Sequence, residues 1–288
     1  MESRGDLYSS IDVDVALGLY RLSRRESAAH KMVDLLLKTK GLSEDFYYVL
    51  NFFKTDEEQV KRLGDLYYNG LNGIRDYEKA IECYKLCNSD LGYERIADCY
   101  LNNLVHTDNR VEESLGWYSK IEDKNRIIDA ADKYLIGDGK PKNPEYGLQL
   151  LLLSDNPDIQ EWVGDQYYLG EIVEKDDSKS LDAYYKSSIN GNDELCKKII
   201  DHLFDIGLYK DCEKFVELLA KKNYADAQYL MGLLNDGTYG IKDIEKAYYY
   251  FEMAANAGDK DAKENADALQ KNIDWEQYAY RKEHGDLK

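Results

Sequence analysis

The chain has 288 residues, of which 43% are hydrophobic and 33% are charged, so it can bury a large core. Its formal net charge of −18 disfavours binding to nucleic acid or to an anionic membrane, and it favours basic partners. The same charge also helps to keep an extended protein in solution. Three prolines and 20 glycines leave no flexible linker that would divide the sequence.

The cysteines and the terminal sequence bear on the compartment. Five cysteines, an odd number, lack the spacing of a disulfide framework or of a zinc site. The first residues lack the apolar core of a signal peptide, and the aliphatic run 150–153 is too short to span a bilayer. We therefore expect a cytoplasmic protein with no membrane insertion and no bound metal.

In chain order, residues 1–54 have apolar positions at helical spacing, and we expect helices that continue or cap the array that follows. Their repeat register stays open. Thr55 and Glu58 have the spacing of a capping box, which predicts a helix start. Asp76 is then expected to cap a second helix, which predicts a helix pair with a short loop between its members.

One short pattern recurs at intervals of 33 or 34 residues: an apolar residue, Gly or Ala, Asp, and Tyr two positions later. A period of this length predicts a solenoid of helical hairpins. The four copies are Leu63-Gly64-Asp65-x-Tyr67, Ile96-Ala97-Asp98-x-Tyr100, Ala130-Ala131-Asp132-x-Tyr134 and Val163-Gly164-Asp165-x-Tyr167.

The later part of the chain keeps this pattern with one interruption. The fifth unit, about 193–220, is helical but degenerate, with Lys198 where a 34-residue period expects the small residue. The sixth unit restores the pattern with Gly232 and Phe251. After residue 271, a polar helix with Trp275 and Tyr280 is expected to cap the array, or to serve as a docking tail.

At the sixth unit the sequence resembles the Sel-1-like repeat, a relative of the tetratricopeptide repeat. The resemblance rests on the segments 225–232, 237–243, 245–247 and 254–258, and on Arg62 to Cys87 in the first unit. Residues 161–187 fit moderately, 95–121 and 130–154 fit more loosely, and 193–220 departs most. The resemblance covers 55–271 and implies an all-α fold: a right-handed solenoid of antiparallel helix pairs with a period of about 34 residues.

The sequence contains no recognisable catalytic or cofactor site. Gly137-Asp-Gly139-Lys140 lacks the further Gly and the Ser or Thr of a phosphate-binding loop, and it fits a loop between two helices better. No histidine has metal-ligand spacing, and neither a nucleophile elbow nor a dinucleotide fingerprint occurs. We therefore expect a protein that is not an enzyme and has no cofactor.

The repeated aspartates predict a partner-binding surface. They share a helix stripe that, in tetratricopeptide-like repeats, lines the concave face, and aromatic residues lie beside them. A solvated helix face is the alternative for the acids, and the edge of the core is the alternative for the tyrosines. The predicted partner-binding residues are Asp65, Tyr68, Glu94, Asp98, Asp132, Glu161, Asp165 and Tyr168.

Two functions fit these features. The first is an adaptor that binds a protein or peptide, with a basic segment of the partner in the acidic groove, since the resemblance implies a role in assembling complexes. The second is a regulatory subunit or inhibitor that mimics a polyanion and occupies a basic enzyme, which includes a bacterial effector directed at a host. The partner, the pathway and the oligomeric state stay open.

Overall fold

The computed structural model describes residues 56–70 and 75–287, together with single positions between 15 and 54. Over this part of the chain it contains fourteen α-helices, one short 3-10 turn and no strand. The helices are α1 Glu57–Asn69, α2 Tyr77–Cys87, α3 Asp90–Leu101, α4 Arg110–Tyr118, α5 Lys124–Ile136, α6 Pro144–Leu151, α7 Pro157–Leu169, α8 Asp177–Ile189, α9 Asp193–Asp205, α10 Tyr209–Lys221, α11 Ala225–Asn235, α12 Ile244–Asn256, α13 Lys260–Leu269 and α14 Trp275–His284.

Consecutive helices pack as pairs, which we number from α1–α2 to α11–α12. This arrangement confirms the predicted all-α class and is that of an α-solenoid. The chain divides into two compact units: unit 1 spans residues 1–153 and unit 2 spans 154–288. Unit 1 contains pairs 1 to 3, and unit 2 contains pairs 4 to 6 with α13 and α14.

Side-chain caps begin several helices, and the predicted cap at Asp76 is confirmed. The side chain of Asp76 accepts a hydrogen bond from the backbone N–H of Lys79, and Asn143 accepts one from Tyr146. Asp176 caps α8 in the same way. The first helix differs, because Asp56 rather than Thr55 is its capping residue. An Asp one position closer to the helix supplies the acceptor, and Thr55 itself lies outside the described residues.

In three pairs the two helices make a close contact at the glycine that is the eighth residue of the first helix. A Cβ atom on Gly64 would lie 2.8 Å from the Cε1 atom of Tyr84, inside van der Waals contact. Gly164 meets Tyr184 in the same way, and Gly232 meets the ring of Phe251. These three glycines therefore set how closely the helices of pairs 1, 4 and 6 approach.

The degenerate fifth pair keeps its two helices with a different register. Lys198 is exposed, whereas Ile200, two residues later, is buried. Counted from the helix start, Ile200 occupies the position of Gly164, since each is the eighth residue of its helix. The 34-residue period therefore misplaces this position by two residues.

The helix α14 packs on pair 6. Tyr278 is buried, its ring lies edge-on to Tyr248, and its hydroxyl donates to Glu252. The guanidinium of Arg281 donates to both carboxylate oxygens of Asp243, at 2.8 and 2.6 Å. Within unit 2, these contacts hold α14 against α12 and against Asp243, the residue that precedes α12.

We predict opposite effects of adding a methyl group at two helical glycines of unit 1. Gly64→Ala overpacks the contact with Tyr84 and should destabilise the unit by about 1–3 kcal/mol. The control is Gly116→Ala, because nothing lies within 4 Å of a Cβ atom there. It should stabilise α4 by about 0.5–1 kcal/mol through helix propensity. Urea unfolding measures both, and equal effects of the two changes would contradict the packing.

Candidate functional site

The repeated aspartates of pairs 1 and 4 make the same contact. The hydroxyl of Tyr84 donates to Oδ1 of Asp65 at 2.7 Å, and the hydroxyl of Tyr184 donates to Oδ1 of Asp165 at 2.8 Å. In both pairs the tyrosine ring passes over the glycine that precedes the aspartate. Burial, followed by the hydrogen bond to Asp65, raises the pKa of Tyr84. The two carboxylates are half-buried, and each joins the two helices of its pair.

In pair 2 the aspartate lies inside the protein. Asp98 is only 7% exposed, so the structure does not place it on a solvent-facing stripe. Its carboxylate accepts hydrogen bonds from the hydroxyls of Tyr134 at 2.8 Å and Tyr118 at 3.4 Å. The ammonium of Lys140 lies 2.6 Å from Oδ2. A buried carboxylate needs such partners, because an unpaired buried charge is costly.

Glu94 belongs to the same charged cluster. Its carboxylate lies 3.4 Å from the ammonium of Lys140 and 2.9 Å from the guanidinium of Arg126. Burial alone would raise the pKa of Glu94, but the charge of Lys140 and the hydrogen bond from Arg126 outweigh it and lower the pKa. Glu94 and Asp98 are therefore brought together around one lysine and are engaged within unit 1.

Asp132 differs from the other three aspartates because it is exposed. The eighth residue of the following helix is Leu151, at the position that Tyr84 and Tyr184 hold in pairs 1 and 4. A leucine offers no hydroxyl, so Asp132 makes no such contact across its pair. Of the four repeated aspartates, Asp132 is the one that stays fully on the surface.

The two predicted tyrosines occupy different environments. Tyr68 is half-buried, packs edge-on to Tyr77, and carries the guanidinium of Arg95 at 4.8 Å from its ring centre. Tyr168 is 47% exposed, and the ammonium of Lys175 lies 5.0 Å from its ring centre. Tyr68 therefore lies at the edge of the core, whereas Tyr168 is available to a partner.

Glu161, Asp165 and Tyr168 follow one another along α7. The side-chain amide of Asn192 donates to Oε2 of Glu161 at 2.6 Å, which joins α7 to the start of α9. The predicted residues thus form two local groups. Glu94 and Asp98 meet in unit 1, and Glu161, Asp165 and Tyr168 lie on one helix in unit 2.

A cleft lies beside Tyr168, between the end of α7, the start of α8, and α9. Its volume is about 420 Å³. Ile199, Leu203, Ile206 and Leu208 form apolar walls, and Lys175, Asp177 and His202 are polar residues that also line it. Apart from Tyr168, these residues were not predictable from the sequence, because one side of the cleft belongs to pair 5, which departs from the repeat pattern.

Lys140 and Arg95 are the other residues that sequence reasoning missed. Lys140 lies in the loop between α5 and α6, where the glycine spacing drew attention to a phosphate-binding loop. Its role is to reach back to Asp98 in the preceding pair. The sequence signal for this contact is a basic residue in the loop after a helix with a repeated acid. A single sequence does not show which acid the basic residue contacts.

The cysteine side chains are buried. All five cysteines are free thiols inside the core. Burial raises the pKa of Cys196 to about 11 and that of Cys212 to about 12, so both are neutral thiols at pH 7. No cluster of His, Cys, Asp or Glu suited to a metal ion occurs in the described ranges. Within those ranges, the helices fall short of the length and apolarity needed to cross a bilayer.

This geometry defines an α-helical repeat protein built from packed helix pairs. The Sel1 repeat family model matches three segments of the chain, residues 61–86, 130–154 and 225–259. They lie in pairs 1, 3 and 6. Sel1 repeats typically mediate protein–protein interactions, and proteins built from them are typically non-enzymatic scaffolds. No curated protein matches the chain.

Three solved structures are similar to the chain at low identity. A protective antigen present in uropathogenic Escherichia coli strains, with an SLR fold, is 21% identical over 92% of this chain and 62% of its own, with a TM-score of 0.30. A Sel1 repeat protein from Oxalobacter formigenes is 19% identical over 74% of this chain and 95% of its own (TM-score 0.26). An immunity protein from Pseudomonas aeruginosa is 14% identical over 80% and 81% (TM-score 0.23). The chain spans less than two thirds of the first.

We predict that removal of the Lys140 charge destabilises unit 1. Lys140→Met leaves Asp98 buried without its cation, which should cost about 3–5 kcal/mol. The control Lys142→Met lies in the same loop but is exposed, and it should cost less than about 0.5 kcal/mol. In a Trp162→Phe/Trp275→Phe background, Trp117 fluorescence during urea unfolding reports on unit 1. Adding Asp98→Asn to Lys140→Met should recover stability, and a failure to do so would contradict the pairing.

We also predict that acid weakens unit 1 through Glu94. The pKa of Glu94 is lower in the folded chain than the value of about 4.3 in an unfolded one, so its contribution to stability is present above that value. The contribution is lost as the pH falls through the folded pKa. The unfolding free energy should therefore decline below about pH 4.3. In Lys140→Met the decline should be shallower, and an unchanged slope would contradict the role of Lys140.

Proposed function

We propose that the chain is a non-enzymatic adaptor that binds a partner protein through the first two helix pairs of unit 2. The observation that carries the proposal is a concentration of exposed large apolar side chains on these pairs. They include Trp162, Tyr168, Leu169, Ile172, Ile189, Ile206 and Leu208. Of these, Tyr168, Ile206 and Leu208 line one cleft together with Lys175 and Asp177. Exposed apolar surface beside charged residues is typical of interaction sites on soluble proteins.

The charge around this surface supports a basic partner segment. Between residues 157 and 208 the sequence has twelve Asp and Glu residues but five Lys and no Arg, a formal net charge of −7. A surface of one sign attracts a partner of the opposite sign and speeds its association. We retain Glu161 and Tyr168 as binding residues, and Asp132 as an exposed acid of unit 1. Asp165 makes the same contact as Asp65, and we assign it the same structural role.

The remaining predicted residues have a different proposed role. Asp65, Tyr68, Glu94 and Asp98 make contacts inside unit 1, and these contacts support a structural function for them. We also propose that the protein catalyses no reaction and resides in a reducing, cytoplasmic compartment. Five unpaired, buried thiols support that compartment.

The proposal predicts a partner whose capture depends on this surface and on salt. Leu169→Ser/Ile206→Ser removes two side chains that are 57% and 54% exposed, so the fold should be retained. Capture from native extract should fall about tenfold or more, since lost apolar contacts mainly raise the dissociation rate. The control Leu86→Ser/Leu104→Ser changes exposed leucines of unit 1 and should leave capture unchanged.

Raising the salt concentration in the same experiment separates the contribution of charge to binding from that of apolar contact. Association should slow as salt rises, because exposed charges are screened over about 8–10 Å at physiological ionic strength. Proteins captured equally by the wild type and by Leu169→Ser/Ile206→Ser would contradict the proposed surface. If an identified partner is an enzyme and loses activity on binding, the protein is an inhibitor rather than an adaptor.

A further inference from the structure

Pairs 1 and 4 carry the same three side chains at a displacement of 100 residues. The first set is Asp65, Tyr68 and Tyr84, and the second is Asp165, Tyr168 and Tyr184. In both sets the second tyrosine donates its hydroxyl to the aspartate, at 2.7 and 2.8 Å. The two sets therefore share their internal geometry, and what differs is the next pair in the chain.

In unit 1 the next pair supplies a cation at two places, Tyr68 of pair 1 and Asp98 of pair 2. Arg95, the sixth residue of α3, places its guanidinium over the ring of Tyr68, 4.8 Å from the ring centre. The aspartate of pair 2 receives Lys140 from the loop of pair 3, at 2.6 Å. A basic side chain from the next pair thus lies on Tyr68 in pair 1 and on Asp98 in pair 2.

Pair 5 places no cation in the corresponding space of unit 2. Its loop comprises residues 206–208, whereas the loop that carries Lys140 comprises 137–143 and is four residues longer. The residue at the helix position of Arg95 is Lys198, which is exposed and does not line the cleft. Where α3 places Arg95 over Tyr68, α9 places no cation over Tyr168, and an open cleft lies there; the cation near that ring is Lys175, from the loop of pair 4 itself.

The chemistry of the cleft fits a long side chain with a planar cation. The apolar walls of Ile199, Leu203 and Ile206 suit a methylene stem. The exposed ring of Tyr168 offers a face for a guanidinium, which stacks on aromatic rings as an ammonium cannot. The net charge of −7 over residues 157–208 favours a cation at this place.

We propose that the cleft binds an arginine side chain of the partner protein, in the position that Arg95 takes over Tyr68 in unit 1. This inference rests on the proposed adaptor function and specifies the residue that the partner inserts. The guanidinium stacks on Tyr168, and the stem packs against the walls of the cleft.

Lys175 occupies part of this place in the free protein. Its ammonium lies 5.0 Å from the centre of the Tyr168 ring and 3.2 Å from a carboxylate oxygen of Asp177. More than half of the lysine side chain is exposed, so it can move aside at little cost. Lys175→Gln removes a competing cation, and we expect it to tighten the binding of arginine.

The test uses the full chain and two probe peptides. One is an acetylated, amidated Ala-Arg-Ala peptide, and the other replaces arginine with citrulline, which keeps the shape but lacks the charge. With the tyrosine rings labelled for NMR, the arginine peptide should shift the Tyr168 resonance in a saturable way. It should bind about tenfold more tightly than the citrulline peptide, because citrulline lacks the positive charge that is attracted to the face of an aromatic ring.

Variants locate the site. Tyr168→Ala should weaken the arginine peptide about tenfold, whereas Tyr168→Phe keeps the ring and should retain binding. Tyr280→Ala changes a more exposed tyrosine, in α14, and should have no effect. Equal binding of the two peptides, or full binding by Tyr168→Ala, would overturn the proposal.

The result is separable from the proposed function. A partner that is still captured by the Tyr168→Ala variant but lost by Leu169→Ser/Ile206→Ser leaves the adaptor function intact and rejects the arginine cleft. Conversely, specific binding of the arginine peptide without any partner that depends on Leu169 and Ile206 supports the cleft and rejects the proposed adaptor surface.

Discussion

The structure depends on the close contact between a helical glycine and an aromatic ring of the next helix. Because Gly64 and Gly164 have no Cβ atom, the rings of Tyr84 and Tyr184 lie directly over the backbone of the first helix. The position of each ring then decides where its hydroxyl lies, and in both pairs it reaches the aspartate after the glycine. In pair 6 the hydroxyl and the carboxylate are lost together: Phe251 replaces the tyrosine, and Leu233 replaces the aspartate.

This coupling changes how the acidity of the chain is understood. A repeated aspartate on a helix suggests a charged surface, but Asp98 is buried and Asp65 and Asp165 hold their helix pairs together. Part of the net charge of −18 therefore serves folding. Among the aspartates of this register, the charge left on the surface is that of Asp132, where Leu151 replaces the tyrosine.

The fold was largely predictable from the sequence, whereas the candidate site was predictable only in part. Local signals such as Asp76 or Asn143 at a helix start need no knowledge of distant residues, because a cap bonds to its own helix. Residues 161–187 repeat the contact between glycine, tyrosine and aspartate that pair 1 makes. The family model nevertheless matches residues 130–154 and not this segment. The partnership of Asp98 with Lys140 spans 42 residues and a loop, and nothing in either local sequence specifies it.

Departures from the repeat indicate where a binding site can form. In a regular array each helix pair packs against the previous pair, so the groups on the inner surface of one pair are in contact with side chains of the next. Lys140 does so for Asp98 and Arg95 does so for Tyr68, and these contacts leave little for a partner. Pair 5 does not do the same for Tyr168, because the residue at the helix position of Arg95 is Lys198, which is exposed and does not line the cleft. A change of register in one repeat is therefore enough to leave an open cleft where a regular repeat makes an internal contact.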